Sequence, residues 1–406
     1  MPDGGGPSGT SSSGTSGSSG SSTTATSTAT HGSTGATAGS SSRSSSTAST
    51  SRGSTGGTSS GTTTSTVGGS SGSSSGSSSG HSTSGGGESW VWLFTNYSSG
   101  LATVAANATS FTHISPMLYD LNYDYQSGVA ELQMPSFDGL TPGQVAQQIH
   151  QAGLKCIAVI QGGASNNGTD QGIQNLLSSS ATANAFFTAM VGEAMTQGYD
   201  GYNLDWEVGV ATSYAAYGPQ LITFLTAFSQ ALHQQGLILS IDIAAYLVEQ
   251  SNCSGDTGWV DITALGGAVD EAISMSYAAV FNAEAGSPPT SCPASVSYPL
   301  PCNNDVVTDL VMYCGSGLPL TFFNIALLSA PSTVNGSPNP IGGSNAFAGT
   351  AIEALESFGY DKTAVWPAYN SDASGGGYVL LDPTGIAPSG SSWYSLLEGF
   401  LASSGG

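Results

Sequence analysis

Positive charge is nearly missing from this chain. Its 406 residues hold four Lys or Arg against 26 Asp or Glu, a net charge of −22. Two of the four, Arg43 and Arg52, fall in the first 88 residues, and only Lys155 and Lys362 follow. So acidic a field repels phosphate backbones and anionic lipid, which excludes nucleic acid as a natural partner and favours a neutral ligand. Long apolar runs are absent too. Without a stretch of about 18 apolar residues no membrane insertion by this chain is expected. No basic region followed by an apolar one opens the sequence, so no secretory leader is legible in it. The five Cys, at 156, 253, 292, 302 and 314, include no Cys-x-x-Cys pair and no His at ligand spacing. A zinc site is thereby disfavoured, and no metal or other cofactor is implied.

Residues 1–88 have no aromatic side chain and are almost entirely Gly, Ser and Thr. So little apolar surface cannot offset the entropy of ordering a backbone, so this tract is expected to be a disordered stalk or linker. The remaining residues, 89–406, carry all six Trp and are long enough for one large α/β barrel or two ordinary domains. Asn-x-Ser/Thr sequences at Asn96, Asn107, Asn167, Asn252 and Asn335, with a leading tract like an O-glycosylated spacer, point to an extracellular or cell-surface setting. Cys156, inside the apolar run 156–160, reads as a small buried hydrophobe. The other four cysteines allow three pairings. Pro293, Pro299 and Pro301 make the intervening stretch a loop, and Cys292 with Cys302 is the expected bridge.

From residue 90 onward, short β-branched or aromatic runs alternate with stretches of helical period. Eight strands are expected, at 90–95, 111–119, 154–160, 199–207, 237–243, 271–277, 319–327 and 362–367. Thr141 before Pro142 has the form of a helix start, and Val145 and Ile149 lead to a stop at Gly153. Pro219 opens another helix whose stripe Leu221, Phe224, Leu225, Phe228 and Leu232 reads as core packing up to Gly236. Two more run over about 347–358, before Gly359, and about 393–402. This alternation predicts an α/β (β/α)8 barrel, with a doubly wound sheet as the other arrangement; in both, chemistry sits at the carboxyl ends of the strands.

The fourth strand carries charge where burial is expected: Asp200-Gly201-Tyr202-Asn203-Leu204-Asp205-Trp206-Glu207. Alternation sends Asn203, Asp205 and Glu207 to one face and Tyr202, Leu204 and Trp206 to the other. Two carboxyls about 6–7 Å apart along a strand in a partly desolvated site resist joint ionisation, so one should hold its proton above the usual range. Glu207, at the end, is best placed to protonate a leaving oxygen, with Asp205 behind it to hold or share the proton.

These eight residues resemble the hallmark of glycoside hydrolase family 18, the chitinases and endo-β-N-acetylglucosaminidases, whose fourth strand reads Asp-Gly-apolar-Asp/Asn-apolar-Asp-x-Glu. Phe111-Thr112-His113-Ile114 is similar to the family's second strand, Gln161-Gly162-Gly163 to the end of its third, and Met275-Ser276-Tyr277 to its Met-x-Tyr on the sixth. Trp366 matches the Trp under the sugar beside the scissile bond. The resemblance implies a barrel hydrolase that retains anomeric configuration by substrate assistance. Glu207 would be the general acid and base, and Asp205 would orient the substrate's acetamide N–H. Tyr277 would bond the acetamide oxygen, with Asn203, Met275 and Trp366 also at the substrate. Two departures stand out: Ala278 where the family often has Asp or Asn, and Ile160 where a Ser commonly precedes the Gly pair, a change expected to alter packing around Asp205.

Tyr119, Tyr123 and Tyr125 lie among Asp120, Asn122 and Asp124, in what reads as a loop suited to stacking and hydrogen-bonding sugars; Tyr119 is taken as substrate-binding. His113 reads as a hydrogen-bonded core histidine. Asp242 is a possible lining residue, while Trp90 and Trp259 are left between outer subsites and packing. The expected partner is a polysaccharide or oligosaccharide of β-1,4-linked N-acetylglucosamine. A stalked, non-hydrolytic lectin, or an enzyme acting on N-glycan or peptidoglycan-like substrates, is the alternative. With both Glu207 and Asp205 present, an active enzyme is favoured. No interface signature stands out, and a monomer is expected.

Overall fold

The computed structural model describes residues 86–94, 97–124, 129–133, 137–162, 167–207, 217–244, 247–249, 251–252, 258–276, 291–298, 300–301, 306–328, 333–334, 337–338, 345–366, 370–371, 377–378 and 392–404. Eight parallel strands form the frame: β1 (Glu88–Leu93), β2 (His113–Asp124), β3 (Lys155–Gly162), β4 (Gly201–Trp206), β5 (Ile238–Ile243), β6 (Glu271–Met275), β7 (Phe323–Leu328) and β8 (Lys362–Trp366). Each pairs with the next, and β1 pairs with both β8 and β2, so the sheet closes into a barrel. All eight expected strands are present in order, and the open doubly wound alternative is ruled out. Glu88, counted above with the leading tract, belongs to β1.

Helices pack around the barrel: α1 (Tyr97–Ala106), α2 (Pro142–Gln151), α3 (Asn167–Ser178), α4 (Ser180–Gln197), α5 (Gly218–His233), α6 (Ile262–Leu265), α7 (Val306–Cys314), α8 (Asn345–Phe358) and α9 (Trp393–Ser404). Thr141 caps α2 reciprocally: its hydroxyl accepts from Gln144 N at 3.2 Å while the Gln144 side chain accepts from Thr141 N at 2.8 Å. Gly153, Gly236 and Gly359 end their helices at φ of 81°, 74° and 88°, a left-handed turn that a Cβ would oppose. The stripe Leu221, Phe224, Leu225, Phe228 and Leu232 is buried as expected. Among the described residues no helix is long and apolar enough to cross a membrane.

Strand alternation divides the core in two. Trp90, Trp92, Met117, Ile157, Val159, Ile273, Ala326 and Ala364 fill the barrel, the two small alanines making room for the indoles. Trp90 is therefore packing, and Trp259 belongs to the outer core, between barrel and helices, with Val91, Ile114, Cys156, Leu204 and Phe228. At the amino-terminal end the barrel is plugged by charge: Lys362 Nζ lies 3.3 Å from Glu88 and 2.6 Å from Glu271, and Glu271 also accepts from Asn324 Nδ2 at 2.7 Å. Burial pushes Glu271 up to about 7 against the opposing pull of Lys362. His113 stacks on Trp90 at 4.4 Å and bonds Thr112 Oγ1, and burial pushes it down to about 3, a neutral core histidine.

The same end carries a repeated clamp. Asp200, just before β4, accepts from His150 Nε2 and from Cys156 N on β3, both at 2.8 Å. Asp270, just before β6, accepts from His233 Nε2 at 2.9 Å and from Leu239 N on β5 at 2.8 Å. Both histidines head the same run, His-Gln-x-Gly-Leu, at 150–154 and 233–237.

Two expectations are corrected. Cys292 bridges to Cys314 at the end of α7, with Cα atoms 5.5 Å apart, and not to Cys302. The helix end, distant in sequence, faces the loop that carries Cys292; Cys253 and Cys302 lie outside the described residues. The second concerns β2, which continues past residue 119 to Asp124 and folds back as an antiparallel strand, Val129–Gln133, where a loop was expected.

Candidate active site

The chemistry-bearing face of β4 points into the barrel. Its other face supports it: Tyr202 OH donates to Met190 O on α4 at 2.9 Å, and the Trp206 ring lies 5.3 Å from Phe224 on α5. Asn203 is fully buried, Asp205 is 8 % exposed, and Glu207, one residue past the strand end, is half-buried. This gradient runs from floor to mouth. The Asn203 amide is committed on both sides, its Nδ2 donating to Asp242 Oδ1 at 2.8 Å and Ser240 Oγ at 3.0 Å while its Oδ1 accepts from Trp92 Nε1 at 3.4 Å. It sits beneath Asp205 and does not open to the mouth.

Asp205 is level with Gln161 on β3, whose side chain hydrogen-bonds it. Its Oδ1 is buried and has no hydrogen-bond partner among the described residues. Burial first and the charge of Glu207 second push Asp205 up to about 8, with the Gln161 bond opposing. A rise of the kind expected is present at Asp205, the deeper of the two carboxyls. A neutral carboxyl with one oxygen unspent is poised to accept a polar hydrogen brought by a ligand.

Trp366, at the carboxyl end of β8, is partly exposed and meets Trp92 edge-on, with ring centres 6.0 Å apart. Phe94, just past β1, is 41 % exposed and 5.8 Å from Trp366. Together they form an aromatic wall at the mouth. Met275 shares the inward side of β6 with Ile273 and Glu271 and is buried level with Ala326. Tyr277 and Ala278, like Gly163 and Tyr125, lie outside the described residues.

Tyr119 is elsewhere. A bulge between Met117 and Tyr119 reverses the alternation of β2, and the Tyr119 ring turns to the helix side, its hydroxyl 2.8 Å from Glu193 Oε1 and 2.7 Å from the Tyr199 hydroxyl. The same reversal gives Asp120 the inward position level with Gln161, exposed at the mouth. Ile160 also faces the helices, level with Leu204, so it does not touch the Asp205 side of the sheet. Gln161 and Phe94 were not expected as site members, while Asp242, a possible lining residue, and Asp120, placed in a sugar-binding loop, both take inward positions. For Gln161 the signal was available: it is a polar residue directly after the predicted strand 154–160, and the strand runs on through it to Gly162.

No family model and no curated protein matches the sequence. Solved structures do. Catalytic domain 2 of the Ostrinia furnacalis Group II chitinase, in complex with an N-acetylchito-oligosaccharide, superposes with a TM-score of 0.55 at 13 % identity, over 78 % of this chain and 96 % of that one. What the two chains share is the closed (β/α)8 barrel fold. A class V chitinase of Pseudomonas fluorescens Pf-5 has a TM-score of 0.51 at 16 % identity over 76 % and 99 % of the two chains. The spore cortex-lytic enzyme SleL of Bacillus megaterium has a TM-score of 0.51 at 13 % identity over 69 % and 70 %.

Proposed function

We propose that this barrel hydrolyses β-1,4-linked N-acetylglucosamine glycans, chitin or its oligosaccharides, with retention of configuration and with the substrate's own acetamide as nucleophile. The observation that carries the reading is Asp205, neutral and with one unspent buried oxygen, directly below Glu207 at the mouth of a chitinase-like barrel. In this reading Glu207 donates its proton to the glycosidic oxygen as the C1–O bond breaks, and the acetamide carbonyl oxygen closes on C1 to give an oxazolinium ion. Asp205 accepts the acetamide N–H on Oδ1, and that hydrogen bond orients the acetamide and strengthens as positive charge develops on it. Water then opens the ring while Glu207, now the base, recovers a proton from it. Trp366 stacks under the sugar beside the cleaved bond, with Met275 at its side and Tyr277 donating to the acetamide oxygen. Asn203 acts from below, and Tyr119 has no contact with substrate.

The distribution of positive charge supports a neutral glycan over an acidic, peptidoglycan-like one. Lys155, Lys362 and His113 stand at the amino-terminal ends of β3, β8 and β2, and His150 and His233 in the last turns of α2 and α5. Every other Lys, Arg or His in the chain precedes residue 86. The mouth, at the opposite end, therefore has no cation to hold a carboxylated sugar. We also propose that the protein works outside the cell with the residues before Glu88 as a spacer, a reading supported by the Cys292–Cys314 bridge.

Release of reducing sugar from N-acetylchito-oligosaccharides by the full chain, beside Glu207→Gln, tests the function. Turnover that falls at least about 100-fold in the variant, with the β-anomer as first product, is the expected result. Binding without turnover in either protein would replace the hydrolase with the lectin, and neither binding nor turnover would reject the substrate class.

A further inference from the structure

Behind the carboxyl end of β6, on the helix side, four polar side chains form a continuous chain of hydrogen bonds. Alternation turns Ser274 and Ser276 outward and Met275, between them, inward. Ser276 Oγ donates to Asp309 Oδ2 on α7 at 2.5 Å, and Ser274 Oγ donates to the same oxygen at 3.2 Å. Tyr313 OH in turn donates to Ser274 Oγ at 2.6 Å. All four side chains are buried, Asp309 at 1 % exposure. Each hydroxyl proton is spent on the next member, and the carboxylate is where they end.

This grip falls where the sheet lets go. Among the described residues β6 pairs with β5 as far as Ser274 and with β7 as far as Met275, and Ser276 N turns back to Ser274 O at 3.0 Å. Side chains hold the strand end beyond that level. α7 is a fixed post for them: Tyr360 OH donates to Leu310 O at 2.9 Å, Tyr298 OH donates to Met312 O, and Cys314 is bridged to Cys292. Tyr313 also stacks on Phe323 of β7, with ring centres 4.3 Å apart. One bond would leave the strand end free to swivel, whereas two, on either side of Met275, fix its rotation about the strand axis. A buried carboxylate is a costly way to fill space between helix and sheet, and a satisfied network of this kind specifies one geometry.

We infer that Asp309 is a positioning residue for Met275: its carboxylate holds Ser274 and Ser276 from the helix side and so sets where Met275 stands at the carboxyl end of the barrel. That Met275 lies beside the sugar rests on the function proposed above, but its dependence on Asp309 does not. The full chain labelled with 13C in its methionine methyl groups tests it. Of the seven methionines, the Met275 signal is the one lost in Met275→Leu. Asp309→Asn keeps an oxygen acceptor for both hydroxyls, and Asp309→Leu removes it. The Met275 signal is expected to shift or broaden in Asp309→Leu and in Ser276→Ala and to stay in place in Asp309→Asn, with exposed Met195 on α4 unmoved throughout. On N-acetylchito-oligosaccharides Asp309→Leu should lose up to about 100-fold in kcat/KM, the size of a misplacement of about 1 Å, and Asp309→Asn should keep most of the activity. In a Met275→Ala background the leucine substitution should cost less than about twofold more.

A role in stability alone would lower the unfolding midpoint of Asp309→Leu and leave the Met275 signal and the folded enzyme's rate where they were, and that result overturns the inference. So does a Met275 signal displaced as far in Asp309→Asn as in Asp309→Leu, or losses at Asp309 and Met275 that multiply independently. If Asp309→Leu does not fold, Ser276→Ala decides: an unmoved Met275 signal there also overturns it. Should chito-oligosaccharides not be cleaved at all, the proposed function fails while the methyl signals still answer for Asp309.

Discussion

Asp205→Asn is expected to stabilise the fold while abolishing turnover. The side chain is held neutral near pH 7 because the barrel raises it from an ordinary 3.8 to about 8. In the unfolded chain it ionises freely, so folding at neutral pH takes up a proton. A carboxyl raised on folding makes its least unfavourable contribution at low pH. Stability is then lost as pH climbs from about 4 to about 8, beyond which the penalty is constant. At pH 7 about 3 pH units of that interval have been crossed, which amounts to about 4 kcal/mol. Asparagine has no charge to lose and keeps an oxygen for the Gln161 contact, so its gain grows over the same interval and levels off above pH 8. Its added N–H group needs a partner, which brings the expected gain at pH 7 to about 2–4 kcal/mol. Urea denaturation of wild type and variant at pH 5, 7 and 9 measures it. A stability difference that does not change with pH would refute the assignment of the raised carboxyl to Asp205.

Lys362→Met leaves Glu88 and Glu271 facing each other at the barrel floor without their cation; a loss of about 3–5 kcal/mol, seen as a lower urea midpoint, is expected, with Glu271 rising further above 7. Activity at temperatures well below the transition should survive it, since the floor is at the opposite end from the mouth. Substrate charge should matter through the missing cations: at about 10 mM salt, N-acetylchito-oligosaccharides should be cleaved about tenfold faster than analogues carrying a carboxylate on each second sugar, and the gap should narrow at about 300 mM. Equal rates at low salt would remove the electrostatic argument for a neutral substrate.

Most of the frame was legible because it rests on local signals. Short β-branched or aromatic runs marked all eight strands to within a few residues, and Thr141-Pro142, Gly153, Gly236 and Gly359 marked helix ends by capping chemistry and left-handed φ that hold in any fold. Helices α3 and α4 were not marked, although Ile173, Leu176 and Leu177, and then Ala183, Phe186, Phe187, Met190 and Ala194, recur at helical spacing and are buried. Tyr119 went astray for a structural reason. Strict alternation sets the side that Met117 faces, but the bulge after it adds one residue and turns Tyr119 to the helices and Asp120 to the mouth. No short window announces such a bulge. Cys292 likewise had a sequence-near partner in Cys302 and a spatial one in Cys314, and spatial proximity decides a disulfide.

What the sequence determined by itself is the polarity of β4: with Tyr202, Leu204 and Trp206 on the helix side, Asn203, Asp205 and Glu207 must face inward in any sheet that buries those aromatic and aliphatic groups. Composition alone also left the chain without a cation to spare for the mouth. Only the closed barrel decided what those inward groups become. It brings Gln161, some 40 residues earlier, and Asp242, as far beyond, to either side of Asp205, and it removes the water that would otherwise keep all the carboxyls ionised. Protonation depends on desolvation and on charges within a few ångströms, and both are properties of the assembled layer.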